Sequence, residues 1–323
     1  MRIAIVSPDP TSSSGGVERF CHTLDDCLSA LGHDTMVVTS ADVERMSVDL
    51  AITNGMTGAS TAAPRIHVYH GCWVEHVRYS YRHGSLQWRL KWLLQGAARE
   101  IRAGSGAHRV AVSATTAGEL HRWYRMATHQ VIPNSVDVES LRPLITRGEA
   151  RRRVGVTDDQ RIALFVGRAE DRKRPDLASE VSAAAGYDLF TAGAGSFPGG
   201  ESLGVLCPAE LQTWVRAADC VLSPSDYEAC SLAVLEALAA GTPVIASRVG
   251  WINTLVADVP AYLPLTAPRG DRAGFLMAMR DLSANMAGAT AAANYVRANN
   301  SLDAMRQQWS ALLQRISVQT WIH

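Results

Sequence analysis

Two glutamates, Glu228 and Glu236, stand at the start of a stretch that is otherwise almost uncharged, "SPSDYEACSLAVLEALAAGTPVIAS" over residues 223–247. Turned at 100° per residue, Leu232, Ala233, Val234, Leu235, Ala237, Leu238, Ala239 and Ala240 cover every direction. The pattern predicts a helix from about Ser231 to Ala240, buried all round. Glu236 is its only charged residue, and an ionised carboxylate in hydrocarbon costs several kcal/mol unless something hydrogen-bonds it. A solvent gap or a distant arginine would serve, and so would a ligand diol, whose two hydroxyls fit one carboxylate. Glu228 precedes the helix, whose first backbone N–H groups, those of Ser231 and Leu232 here, carry partial positive charge suited to phosphate. Carboxylate, anion site, carboxylate matches the order in which a nucleotide diphosphate sugar offers sugar hydroxyls, phosphates and ribose hydroxyls.

The elements that must position these residues alternate along the whole chain. "RIAIVS" (2–7), "DTMVVTS" (34–40), "DLAIT" (49–53), "RIHVYH" (65–70) and "HRVAVS" (108–113) read as strands, with a helix from about Val17 to Leu31 after the first. The pattern restarts with "RIALFVGR" (161–168), "YDLFTAGAG" (187–195), "CVLSPS" (220–225) and "TPVIAS" (242–247). Strand–helix alternation predicts α/β architecture with parallel sheets, and the restart predicts two of them. "VIPNSVDVESLRPLITRGEA" (131–150) has the proline and Asn-Ser content of a link between lobes, and Asn134 and Ser135 would shape it without catalysing. An amphipathic helix from about Leu302 to Ile316 closes the chain. Open parallel sheets bind ligands beyond the carboxyl ends of their strands, and two such lobes facing each other would make a cleft suited to group transfer away from water.

The 323 residues suffice for two domains of ordinary size. Lysine plus arginine equals aspartate plus glutamate at 31 each, so global charge gives no argument for nucleic acid. The first apolar run is too short for a signal peptide, no later run reaches membrane-spanning length, and Cys21, Cys27, Cys72, Cys207, Cys220 and Cys230 show no metal-ligand spacing. These features set cytoplasmic as the expected location.

"EACSLAVLEALAAGTPVIAS" resembles the signature of the retaining family 4 glycosyltransferases: two glutamates separated by seven residues, then "EA", a small-residue helix and "GxPV". "GGVE", "IPNSVD", "FVGRAEDRKRPD" and "AGAGS" occur in the family's order and extend the resemblance over most of the chain. One departure is Cys230-Ser231, where such sequences usually carry Phe-Gly. The resemblance implies the GT-B fold, two facing Rossmann-like domains with parallel sheets and an interdomain cleft. Residues 1–144 would form the acceptor-side domain and 145–300 the nucleotide-sugar domain, with 301–323 a helix packing back on the first. It further implies that Glu236 holds the nucleotide ribose, that Glu228 positions the transferred sugar, and that Arg168 and Lys173 neutralise the diphosphate. Surface charge at a strand end is the plainer reading of Arg168, and Arg172 and Arg174 compete with Lys173. Gly15 and Gly16 would bring backbone amides to the diphosphate, although a glycine pair in such a turn is common; no G-x-G-x-x-G fingerprint is present. His70 would face the donor sugar, against the simpler reading of a turn histidine with His67 and His76 nearby.

The implied reaction moves a sugar from a nucleotide diphosphate sugar to a hydroxyl-bearing acceptor (a glycan, a lipid-linked molecule or a natural product) with retention, no cofactor and no required metal. A two-lobed sugar-nucleotide epimerase and a catalytically silent nucleotide-sugar-binding subunit are the alternatives. "GVLCPAEL" (204–211) is the expected neighbourhood of the base. From Ser85 to Arg102, Leu86, Leu90, Leu93, Leu94, Ala97, Ala98 and Ile101 read as a core-facing stripe. Trp88 and Trp92 lie beside it with Arg89, Lys91 and Arg102, either as a solvated basic face or as peripheral contact with a membrane or lipid-linked acceptor.

Overall fold

The computed structural model describes residues 1–12, 15–58, 61–80 and 86–320, without the side chains of residues 86, 88, 89 and 317–320. The chain divides into two units, one of Met1–Arg78, His83–Ser135 and Ser301–His323, the other of Tyr79–Arg82 and Val136–Asn300. The family resemblance sets the expected boundary at 144/145, further along the connector. Val136 N–H donates to the Asn300 carbonyl at 2.9 Å, so the connector belongs to the second unit from Val136 onward.

The first unit has six strands: β1 (Arg2–Val6), β2 (Asp34–Val38), β3 (Leu50–Asn54), β4 (Arg65–Tyr69), β5 (His108–Ala111) and β6 (Gln130–Val131). They pair in parallel in the order β2-β1-β3-β4-β5-β6. The second unit has β7 (Ile162–Val166), β8 (Asp188–Ala192), β9 (Glu201–Gly204), β10 (Cys220–Ser223), β11 (Val244–Ser247) and β12 (Thr266–Ala267). Their order is β12-β11-β10-β7-β8-β9, again all parallel. Ile3, Ala4, Ile5 and Val6 of β1 and Ile162, Ala163 and Leu164 of β7 are wholly buried. Such strands are covered on both faces, which is why they read as continuous apolar runs.

Every strand read from sequence is present. The three that were not read, β6, β9 and β12, lie at sheet edges; two have two residues each, and β9 begins with exposed Glu201 and Ser202. In the first unit the Gly16–Ala30 helix buries Phe20, Cys21, Leu24, Cys27 and Leu28. The terminal Leu302–Thr320 helix returns to the same unit, where Met305, Trp309 and Leu312 are buried.

The Leu86–Gly104 helix overturns one expectation. Leu90, Leu94 and Ile101 are exposed (54%, 60% and 40%), whereas Leu93, Gly96, Ala97, Glu100 and Ala103 turn inward or partly inward. The inward stripe is narrower than the sequence suggested because Gly96 lies against the Trp73 ring, whose Nε1–H donates to the Trp92 carbonyl at 2.9 Å. Glu100 supplies the polar anchor: its Oε2 accepts from Tyr124 Oη at 2.6 Å and from the Trp73 amide at 2.8 Å. The side chains of Leu86, Trp88 and Arg89 lie outside the described residues.

Burial lifts the Glu100 carboxyl from an ordinary 4.5 to about 7, and the two hydrogen bonds oppose that rise only in part. A folded pKa above the unfolded value favours the protonated folded form, so stability is full below 4.5 and falls as pH rises through 7. Glu100→Gln, which retains an acceptor oxygen, should flatten that fall in urea melts across pH 4–8; an unchanged slope would contradict the assignment.

Candidate functional site

In the second unit, β7 is the strand at which the order reverses, with β8 on one side and β10 on the other. Such a switch point is where an open parallel sheet offers ligands a crevice beyond its carboxyl ends. A small hollow of about 10 Å³ there is lined by Val166, the last residue of β7, and Lys173 beyond it, by Ser223, the last of β10, and Ser225 beyond it, and by Ser231 and Ala233 at the start of the Leu232–Ala239 helix. That helix begins on Ser231 with no side-chain cap, so its first N–H groups have no intrahelical acceptor.

The five residues after Gly167 carry an alternating chain of charge. Arg168 Nε lies 2.9 Å from Glu170 Oε1, and Glu170 Oε2 lies 2.8 Å from Arg172 Nη2. Arg172 Nη1 reaches Glu228 Oε1 at 3.1 Å, and Lys173 Nζ reaches the same oxygen at 2.6 Å. Both cations converge on Oε1, so Oε2 is engaged by neither. Arg168 is well exposed, whereas Arg172, Lys173 and Glu228 are largely covered. Burial alone would raise the Glu228 pKa; Lys173 and Arg172 outweigh it and hold the carboxyl down at about 2.

The backbone fixes this geometry. A short 3-10 turn over Asp171–Lys173 points Arg172 and Lys173 at Glu228. Arg174, in the left-handed region at φ 55°, turns instead to Asp176 and Asp226. The Asp226 amide donates to the Arg172 carbonyl (2.7 Å), and Arg172 Nη1 donates to the Tyr227 carbonyl (3.1 Å). On the far side Gly250, at φ +53°, leaves room where a Cβ would collide with the Glu228 and Ala229 carbonyls. The "AGAG" turn interlocks with "VGRA": a Cβ on Gly193 would strike the Gly167 carbonyl, and the Ala169 amide donates to Ala194 at 2.9 Å.

Glu236 departs from the expectation that placed it in hydrocarbon. Leu232, Ala233 and Glu236 form a half-buried stripe along one side of the helix, while Val234, Leu235, Ala237 and Leu238 are buried. Residues three and four apart share a helix face, so the open stripe is continuous. Glu236 already has a partner within the chain. Ser231 and Leu232, at the head of this stripe, are half-exposed with it.

In the first unit, β1, β3 and β4 are neighbours, so the segments that follow them emerge along one sheet edge. Gly15 caps the helix after β1 at φ −96°, and Gly16 opens it. A Cβ on Gly16 would meet nothing within 4 Å, so the open space there is not filled by the described chain. His70 follows β4, half-buried, with Phe20 edge-on at 4.6 Å. Its Nε2 lies 3.0 Å from Asn54 Oδ1. Asn54 Nδ2 donates to the Val6 carbonyl at 3.0 Å, which fixes Oδ1 as the atom facing the imidazole. His70 therefore carries its proton on Nε2 and keeps Nδ1 as an acceptor, and burial lowers its pKa to about 4, so the ring is neutral.

Two family models match the chain, Glycosyltransferase Family 4 over residues 47–140 and Glycosyl transferases group 1 over residues 160–285. Together the matched stretches cover more than half of it. The chain belongs to the group 1, family 4 glycosyltransferases. Among curated proteins it is similar to the D-inositol 3-phosphate glycosyltransferase of Segniliparus rotundus, 33% identical over 46% of this chain and 38% of that one. The counterpart from Geodermatophilus obscurus is 36% identical over 40% and 34%. The chain thus spans under two fifths of the length of these relatives. Among solved structures, a sucrose-phosphate synthase from Thermosynechococcus elongatus superposes with a TM-score of 0.82 at 20% identity, over 98% of this chain and 99% of that one. Anabaena HepE in complex with UDP and glucose gives 0.72 at 16%, over 98% and 100%. This likeness establishes the GT-B fold.

Two residues of this family member escaped the sequence reading. Arg172 was only a competitor of Lys173; its position beside Lys173 in one tight turn is what brings both to Glu228. Asn54 left no signal, because its link to His70 depends on the pairing of β3 with β4. Among the described residues no cluster of three metal-ligating side chains occurs, and no helix is long and apolar enough to cross a membrane.

Glu228 also sets an acid limit on stability. Its folded pKa lies below the unfolded 4.5, so its contribution is present above 4.5 and is lost as pH falls toward 2. The difference in unfolding free energy between wild type and Glu228→Gln should be constant near neutrality and shrink across that window. A difference independent of pH down to 2 would mean that Arg172 and Lys173 do not hold the carboxylate ionised.

Proposed function

We propose that this chain is a retaining glycosyltransferase that moves a sugar from a nucleotide diphosphate sugar to a hydroxyl-bearing acceptor. The observation that carries the reading is the crevice at the β7–β10 switch point, where Lys173 and an uncapped helix start share one lining while Glu228 stays ionised beside them. Arg168, Lys173 and the amides of Ser231 and Leu232 would take the diphosphate, and the family resemblance assigns Gly15 and Gly16 to donor binding as well. Glu236 would hold the ribose and Glu228, through Oε2, a hydroxyl of the transferred sugar. Neutral His70 would accept a sugar hydroxyl at Nδ1. That HepE is described in complex with UDP and with UDP-glucose supports a uridine diphosphate sugar as the first donor to try.

In the proposed step the bond from the anomeric carbon to the phosphate oxygen breaks and the acceptor oxygen bonds to the same face. The acceptor proton passes to the departing phosphate, so no enzymic nucleophile is required. Charge grows on the leaving diphosphate, and the cations and helix-start amides stabilise it there without a metal. Six free cysteines, of which only Cys207 is exposed, agree with a reducing, cytoplasmic setting.

The test is incubation with a panel of nucleotide sugars, with and without candidate acceptors, in chelator. Acceptor-dependent nucleotide release with retained anomeric configuration is the expected result. Isomerised donor alone would point to an epimerase, binding without turnover to a silent subunit, and complete loss in chelator, reversed by metal, to a metal-dependent reaction. Lys173→Ala should cost ~2.7–4 kcal/mol of barrier. Glu236→Ala should act mainly on donor KM, by about tenfold or more.

A second reading concerns the Leu86–Gly104 helix. Leu90, Leu94 and Ile101 form an exposed apolar stripe, and Lys91, Arg99 and Arg102 stand exposed next to it. This is the pattern of a helix lying at an anionic membrane surface, and it suits a lipid-linked acceptor. Leu90→Ser/Leu94→Ser should abolish sedimentation with anionic vesicles while leaving donor hydrolysis intact; equal sedimentation of wild type and variant would remove the reading.

A further inference from the structure

We propose that the second unit carries a phosphate-binding pocket at the amino-terminal edge of its sheet, opposite the edge that holds the crevice. Arg161, Tyr187, Asp219 and Pro243 immediately precede β7, β8, β10 and β11, and all four line one concavity of about 540 Å³. Pockets for small ligands commonly span 300–1,000 Å³, so the volume suits one. With strands of four or five residues at about 3.3 Å each, the two edges lie roughly 13–16 Å apart.

Four arginines, three from separate helices and one from the residue before β7, converge on this concavity: Arg147, Arg216, Arg280 and Arg161. Asp219 is the acidic member of the lining, and its capacity is spent. Its Oδ1 pairs with Arg147; its Oδ2 pairs with the fully buried Arg151 at 2.9 Å and accepts from the Ile162 amide at 2.7 Å. Arg161 donates to the Ala185 carbonyl and stacks over the Tyr187 ring at 4.1 Å, and Arg216 donates to the Ile145 carbonyl. No ion pair of Arg161, Arg216 or Arg280 occurs among the described residues. A chain of zero net charge thus gathers, around one hollow, several guanidinium groups that a single saturated carboxylate cannot neutralise.

Helix ends explain part of this and no more. Arg216 and Arg280 occupy the last turns of Pro208–Ala217 and Arg272–Arg280, where a cation is favoured. Arg147 opens a helix, where a cation is disfavoured, and Arg161 lies in no helix at all. Mutual repulsion among like charges is relieved by an anion that several forks grip together, and guanidinium geometry matches phosphate oxygens. Met279, Leu282 and Met286 give the pocket an apolar side, so the phosphate would belong to a molecule with an apolar body, either a soluble metabolite or a lipid headgroup.

The probe is inorganic pyrophosphate, titrated by calorimetry into the full chain. Arg216→Ala/Arg280→Ala should weaken one binding event about tenfold or more, and Arg168→Ala/Lys173→Ala should leave that event unchanged. Circular dichroism establishes that both variants are folded. If the first variant binds pyrophosphate like wild type, or the second loses all binding, the pocket takes no phosphate and the proposal is overturned; the glycosyltransferase reading survives either result. Sedimentation with vesicles of phosphatidic acid in phosphatidylcholine identifies the source. Vesicle binding lost in Arg216→Ala/Arg280→Ala supports a lipid headgroup, and pyrophosphate binding without that loss supports a soluble phosphate.

Discussion

The ion pairing of Glu228 Oε1 with Lys173 and Arg172 is the interaction on which the second unit's site depends. Each of the three side chains is largely withdrawn from water, and none would be tolerated there alone. The network Arg168–Glu170–Arg172–Glu228–Lys173 carries three positive and two negative charges, so its members nearly balance before any ligand arrives. In the proposed reaction this matters twice. The cations are held in place without a diphosphate to hold them, and the remaining hydrogens of Lys173 can turn to phosphate without breaking the contact that orients it.

Both sets of residues arise from one property of parallel sheets. Strands that run the same way deliver all their following loops to one edge, and the edge opens where the strand order reverses. β7 and β10 do this in the second unit, β1 and β3 in the first. Gly16, Asn54 and His70 meet along the first unit's edge although 54 positions separate the first from the last, because β1, β3 and β4 lie side by side. Rigid strand ends set the positions, and side-chain bonds such as Asn54 to His70 set the orientations.

The buried strands were legible because burial on both faces leaves an uninterrupted apolar run. β6, β9 and β12 were not, since a short edge strand buries too little to need one. The "GRAEDRKRPD" run and the two glutamates could be found from residue type and order, yet type could not rank Arg172, Lys173 and Arg174. A left-handed backbone at Arg174 made that choice, and nothing in the composition of the run announces it. The helix carrying Glu236 misled for a different reason. Alanine and leucine fill its open stripe as readily as its buried faces, so hydrophobicity could not tell a half-covered side from a core side.

That half-open stripe changes what the second glutamate has to do. Enclosed in hydrocarbon, Glu236 would have needed a ligand merely to be tolerated; partly solvated and already partnered within the chain, it needs none. A ribose that binds there would exchange one set of hydrogen bonds for another, with a modest net gain per bond. In the proposed reaction the larger electrostatic stake would lie with Lys173 and the uncapped helix start, because charge would grow on the diphosphate as the sugar leaves while the ribose hydroxyls stay as they were. Glu236 would therefore act on binding in that reaction and Lys173 on the barrier, a division that follows from where the charge changes.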